Sequence, residues 1–208
     1  MSKPDIILWD WDNTLLDSRK VAEKALRQVG QETGVSITVD DVTEVIGGHL
    51  VDFWYRHYGP NPIPIVRKFV AYYCENASES KLFPETRDVL SWVQKQNIPQ
   101  IVVSNKNQEI LIQEAQRFGI ESYFQNLFGT INQGPGKPSR AFAERVFGTD
   151  WPKHILMIGD GESDMVFAET IGAFGLFIGQ KKEGQSFSYH QNVANLTEVY
   201  QFLKEYIL

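Results

Sequence analysis

Three short apolar runs in this chain each stop on a polar residue, and that pattern limits the fold more than any other feature. Ile6-Ile7-Leu8-Trp9 ends on Asp10, Ile101-Val102-Val103 ends on Ser104-Asn105, and Ile155-Leu156-Met157-Ile158-Gly159 ends on Asp160. Such runs, β-branched and without polar alternation, read as strands of a parallel sheet buried on both faces. In an open α/β sheet the ligand sits outside the carboxyl ends of the strands. If the three strands are neighbours, Asp10, Asp12, Asp160 and Asp164 meet at one edge although they are far apart in sequence. Crowded carboxylates repel unless a cation compensates them. Crowded oxygen ligands suit a hard cation such as magnesium.

The rest of the chain divides by periodicity. From Asp17 to near Phe83 it holds helical patterns and no convincing strand. Ser18 is placed to cap a helix with Val21, Ala22, Ala25, Leu26 and Val29 on one face, ended by Gly34. A short helix follows from Asp40-Asp41 through Val45-Ile46, broken by Gly47-Gly48. Two more helices flank the turn Gly59 to Pro64, and their aromatics Phe53, Trp54, Tyr55, Phe69, Tyr72 and Tyr73 read chiefly as core. Beyond this block, strands and helices alternate. A weak strand near Leu127-Phe128, a helix from Pro138 to Phe147, a strand at Phe174-Ile178 and a final helix from Leu196 to Tyr206 belong to that series. The expected fold is α/β: a Rossmann-like three-layer core with a parallel sheet, residues 1–16 and 84–208, interrupted by an inserted all-helical cap domain, residues 17–83. An insert directly after the first strand is placed over the strand ends. Gly47-Gly48-His49 and Arg56 are then candidates for substrate selection.

Charge and composition exclude several partners. The net charge is −6 with no basic stripe, so no nucleic-acid partner is expected. No apolar stretch approaches the roughly 20 residues of a membrane span, so no membrane partner is expected either. Met1-Ser2-Lys3-Pro4 leads directly into the first strand without a visible signal peptide, and Cys74 is the only cysteine. Both features suit a reducing cytoplasm. Cys74 lies in an aromatic helix and reads as buried, and the four histidines lack zinc spacing. Gly134-Pro135-Gly136-Lys137-Pro138 is no P-loop, because no Ser or Thr follows the lysine.

Four motifs, in order, resemble one family. Asp10-Trp11-Asp12-Asn13-Thr14 resembles the DxDxT signature of haloacid dehalogenase superfamily phosphatases. Val102-Val103-Ser104-Asn105-Lys106 is similar to the family's second motif, Lys137 before Pro138 to its third, and Gly159-Asp160-Gly161-Glu162-Ser163-Asp164 to its GDxxxD motif. The helical insert is similar to the cap of the phosphoglycolate phosphatase-like branch. The resemblance implies a magnesium-dependent phosphatase acting on a small phosphorylated metabolite, phosphoglycolate or a sugar phosphate. It makes Asp10 the nucleophile that forms an aspartyl-phosphate and Asp12 the acid and then the base. Ser104, with backbone N–H groups near Trp11 and Asn105, would bind the phosphoryl oxygens, and Lys137 would neutralise charge. Magnesium would be held by Asp10, the backbone carbonyl of Asp12, Asp160 and, directly or through water, Asp164.

The sequence departs from the family pattern at Asn13, where glycine is common, at Arg140 and at Gly161, and none of these removes a functional group. Each residue also has a plain reading. Asp10 and Asp12 suit a turn or an N-cap, Ser104-Asn105 a loop, Lys137 a solvated loop, and Asp164 a first helical turn. A phosphomutase of the same superfamily and a non-catalytic phosphate-binding scaffold are the alternatives. Dehalogenase chemistry has no use for the acid supplied by Asp12.

Overall fold

Parallel pairing on both sides of β1 (Ile6–Trp9) decides where the site residues end up. The computed structural model describes residues 3–46, 50–131, 134–181 and 185–207. The chain divides into two compact units, Met1–Leu15 with Leu82–Leu208, and Leu16–Lys81.

The first unit is built on a six-stranded sheet. The other strands are β4 (Gln100–Asn107), β5 (Asn126–Thr130), β6 (Ile155–Gly159), β7 (Phe174–Ile178) and β8 (Gln191–Val193). Their order is β5-β4-β1-β6-β7-β8, every pair parallel. After β1 the chain builds to one side through β4 and β5, then returns to the other side of β1 with β6. The direction therefore reverses at β1, which opens a crevice at the carboxyl ends of β1 and β6. Register fixes it: Trp9 lies opposite both Val102 and Ile158. Asp10 and Asp160 leave the sheet side by side.

Helices α5 (Thr86–Lys95), α6 (Gln108–Phe118), α7 (Arg140–Phe147), α8 (Glu162–Ile171) and α9 (Leu196–Ile207) flank the sheet. On one face Ile6, Leu8, Ile101, Val103, Ile155 and Met157 pack with Phe142 of α7 and with Phe167 and Ala168 of α8. The other face carries Trp9, whose indole N–H donates to Gln100 Oε1 at 3.1 Å. Gln100 donates in turn to the Leu90 carbonyl of α5 at 3.1 Å. A buried glutamine is tolerable there because its polar groups have partners.

The second unit is helical: α1 (Arg19–Thr33), α2 (Val39–Ile46), α3 (Leu50–Tyr58) and α4 (Ile63–Asn76). Gly34 closes α1 in the left-handed conformation at φ 73°, as its place in the sequence led us to expect. Leu26 and Val29 of α1 cluster with Val42, Val45, Phe53 and Trp54. Two short strands, β2 (Leu16–Asp17) and β3 (Lys81–Leu82), pair where the chain enters and leaves this block.

Several local expectations need correction. The block from Asp17 to Phe83 does contain strand residues, in β2 and β3. β8 has no counterpart in the sequence reading. Cys74 is exposed, because α4 turns Tyr73 inward and not its neighbour. Tyr55 is 54% exposed rather than part of the core. The helix expected from Pro138 starts at Arg140, where the Ser139 hydroxyl accepts the Phe142 N–H at 3.1 Å and caps it. Gly47-Gly48-His49 lies outside the described residues. Arg56 is engaged within its own unit by Glu44, and by Asp41 at 3.7 Å.

Candidate active site

The backbone at the end of β1 positions the first carboxylate. The Asp10 N–H donates to the Ile158 carbonyl at 2.9 Å, which ties it to β6. Three residues on, Asn13 has φ 58°. Asparagine tolerates this left-handed conformation better than most residues. That explains how it can stand where a glycine is common. Thr14 then donates to Asp160 Oδ1 at 3.4 Å, which links the turn after β1 to the end of β6.

Asp10, Asp160 and Asp164 gather there, with one carboxylate oxygen from each inside a 4.8 Å cluster. Asp164 sits in the first turn of α8. Its Oδ2 accepts the Gly161 N–H at 2.9 Å, and its Oδ1 accepts from Lys137. A side chain at Gly159 would collide with the Asp164 carboxylate, so the glycine is required for this approach. Lys137 also donates to Asp10 Oδ1 at 2.6 Å, and its side chain is 1% exposed. One ammonium therefore spans two of the three acids.

Lys137 is itself held by Asn105. The Asn105 carboxamide accepts the Lys137 N–H at 2.7 Å and donates to the Lys137 carbonyl at 3.1 Å. A Cβ at Gly136 would strike Asn105 Oδ1, so this clasp too depends on a glycine. Ser104, Asn105 and Lys106 occupy a stretch of β4 whose register to β5 shifts between Val103 and Asn107. Such irregularities re-aim side chains beside functional sites. Ser104 is buried, and its Oγ accepts the Lys106 N–H at 3.1 Å.

Asp12 stands apart from the carboxylate cluster. Its Oδ1 accepts from Lys106 Nζ at 2.7 Å. Lys106 also donates to Glu114 Oε2 at 2.6 Å, and the Trp11 indole N–H donates to that same oxygen at 2.7 Å. Lys106 and Glu114 were not expected as site residues. Glu114 carried one signal: it shares a helical face with Leu111 and Ala115, and all three are buried in α6.

The electrostatics follow from the crowding. Burial first, then the Asp164 charge, pushes the Asp10 carboxyl from 3.8 up to about 7, against the pull of Lys137. Burial and the charges of Asp10 and Asp164 likewise raise Asp160 well above the usual carboxylate value. Burial works against the Lys137 ammonium, but Asp10 and Asp164 outweigh it and lift its pKa above that of an ordinary lysine. With all three carboxylates ionised, one ammonium would leave two negative charges uncompensated. An all-oxygen donor set with that deficit fits a divalent cation.

A pH effect on stability is expected without such a cation. Between 3.8 and about 7 the folded protein keeps a proton on Asp10 that the unfolded chain has released. Stability must then fall as pH rises through this window, since the native state binds more protons. Urea denaturation in chelator, at about pH 5 and about pH 8, measures it. Added magnesium should remove most of the difference. Stability that rises with pH across the window in chelator would contradict this account.

Among the described residues no helix is long and apolar enough to cross a membrane.

Comparison with known proteins follows the same lines. A family model described as haloacid dehalogenase-like hydrolase matches residues 4–172. A phosphoglycolate phosphatase of Chromobacterium violaceum is 22% identical over 95% of this chain and 96% of its own length. One of Aquifex aeolicus is 28% identical over 80% of this chain and 81% of its own. A solved haloacid dehalogenase-like hydrolase of Streptococcus pneumoniae superposes with a TM-score of 0.82 at 22% identity, covering 95% and 98% of the two chains. That likeness concerns the fold.

Proposed function

We propose, since this chain belongs to the haloacid dehalogenase-like hydrolase family, that it hydrolyses a small phosphorylated metabolite through an aspartyl-phosphate on Asp10. It is a phosphoric monoester hydrolase, as its curated relatives are named phosphatases. The observation that carries the reading is the gathering of Asp10, Asp160 and Asp164 at the strand ends, with the Lys137 ammonium bridging Asp10 and Asp164. The names of the relatives favour phosphoglycolate as substrate, and a sugar phosphate is the second candidate.

In this mechanism the Asp10 carboxylate attacks phosphorus in line with the leaving oxygen. The phosphorus–oxygen bond to the substrate breaks as Asp12 gives that oxygen a proton. Water then attacks the aspartyl-phosphate, Asp12 takes the water proton, and phosphate leaves with Asp10 restored. The Ser104 hydroxyl and the N–H groups of Trp11 and Asn105 bind the phosphoryl oxygens. Lys137 holds the Asp10 carboxylate and offsets phosphoryl charge. Asp10, the Asp12 carbonyl, Asp160 and Asp164 would hold magnesium, which supplies neutralisation of the phosphoryl charge. The helical unit Leu16–Lys81 is assigned the part of a cap that selects the substrate.

The deciding experiment follows free phosphate and positional isomers together, with phosphoglycolate and hexose phosphates as substrates. Steady phosphate release with magnesium is expected, lost in excess chelator and recovered when the metal is restored. Isomerisation far faster than release would make the protein a mutase. No turnover of any phosphate ester by the metal-loaded protein would leave it a binding scaffold. Full activity in chelator would remove the metal from the mechanism.

A further inference from the structure

We propose that Lys106, braced by Glu114 and Trp11, is the positioning residue for the Asp12 carboxylate. Three groups converge without being required by the sheet. Lys106 Nζ lies 2.7 Å from Asp12 Oδ1 and 2.6 Å from Glu114 Oε2. Trp11 Nε1 reaches the same Glu114 oxygen at 2.7 Å. The Lys106 side chain is 7% exposed and that of Glu114 is 4% exposed, whereas that of Asp12 is 32% exposed. The chain has therefore buried an ammonium and a carboxylate so that their open end is a third, accessible carboxylate.

A buried ion pair is weak evidence of stabilisation, because desolvation offsets most of the attraction. An apolar pair of similar size at positions 106 and 114 would hold α6 against the sheet about as well. What it could not do is fix the rotamer of Asp12. A half-buried aspartate without such a hold samples several rotamers, and only one aims it at a leaving oxygen. Glu114 grips both neighbours of that geometry. It restrains Lys106, which holds the Asp12 carboxylate, and it restrains the Trp11 indole, whose backbone links Asp10 to Asp12. The nucleophile and the proton carrier are thus set relative to one frame. Misplacing a catalytic group by about 1 Å costs on the order of 10²-fold in rate.

The inference rests on Asp12 acting as the proton donor, and the test separates the two. A p-nitrophenolate group departs with little protonation, whereas an alkoxide needs it. The quantity to read is kcat/KM with magnesium, for p-nitrophenyl phosphate and for the alkyl phosphate the wild type turns over best among phosphoglycolate, glycerol phosphate and hexose phosphates. Lys106→Met should lower the alkyl value about 100-fold and the aryl value less than about tenfold. Lys106→Arg should recover part of the alkyl loss, and Glu114→Gln should show the same selectivity at smaller size. Asp12→Asn must also lose alkyl activity selectively. If Asp12→Asn is selective and folded Lys106→Met loses both substrates equally or neither, the positioning role is wrong and the acid role stands. If Asp12→Asn is not selective, the acid role itself fails. Should Lys106→Met not fold, Glu114→Gln and Lys106→Arg carry the comparison, and equal losses on both substrates overturn the proposal.

Discussion

Asp10→Asn is expected to abolish turnover and leave the protein at least as stable as the wild type. An amide oxygen does not attack phosphorus usefully, so phospho-enzyme formation stops. Loss of an enzyme's nucleophile commonly lowers kcat by about 10⁴-fold to 10⁶-fold. The fold should not suffer. The amide is nearly isosteric, and its oxygen can keep the 2.6 Å bond from Lys137. Burial and the Asp164 charge oppose ionisation of Asp10, so removing that charge relieves the site. Catalytic residues commonly carry such a cost in stability. Phosphate release, thermal melting in chelator and mass spectrometry for the phosphorylated chain check the result together. Near-normal activity in a folded Asp10→Asn protein would remove Asp10 as nucleophile.

Lys137→Met is expected to damage stability and activity together. The substitution keeps the length of the side chain and removes the ammonium from between Asp10 and Asp164. Breaking a buried pair by removing one partner typically costs about 3–5 kcal/mol, since the other charge stays behind unpaired. Here two partners are left. The cost should shrink on acidification, as the carboxylates take up protons instead. Urea denaturation of both proteins at about pH 5 and about pH 8 measures this. Equal stability of the two proteins at the higher pH would show that Lys137 does not compensate the acids. Phosphate release should fall at every pH, because Asp10 loses the cation that holds it.

The ends of β1, β4 and β6 were legible in the sequence because buried parallel strands are uninterrupted apolar runs. The runs place Asp10 and Asp160 at strand ends, and Lys137 is marked by its position before Pro138 and its order among the motifs. Pairing at the sheet edge was not legible. In β8 the exposed Gln191 and Asn192 precede a single buried residue, Val193, and backbone bonds to β7 define the strand. The two-residue strands β2 and β3 are too short to show a period. In the sequence Lys106 is only the last residue of the second motif, and Glu114 is one polar position in an amphipathic helix. Their partnership depends on β4 and α6 lying together beside Trp11, a tertiary fact that periodicity does not encode.

The short pairing of β2 with β3 has a consequence for how such a chain can diversify. It draws the entry and exit of the helical unit together, next to the Phe83 N–H that donates to the Leu15 carbonyl at 3.1 Å. The excursion between the two crossings is therefore a closed loop of chain. Closing a flexible loop costs only about 0.6 kcal/mol more for each doubling of its length. Between the two crossings, residues can be gained, lost or exchanged at little expense to the strands that carry Asp10 and Asp160.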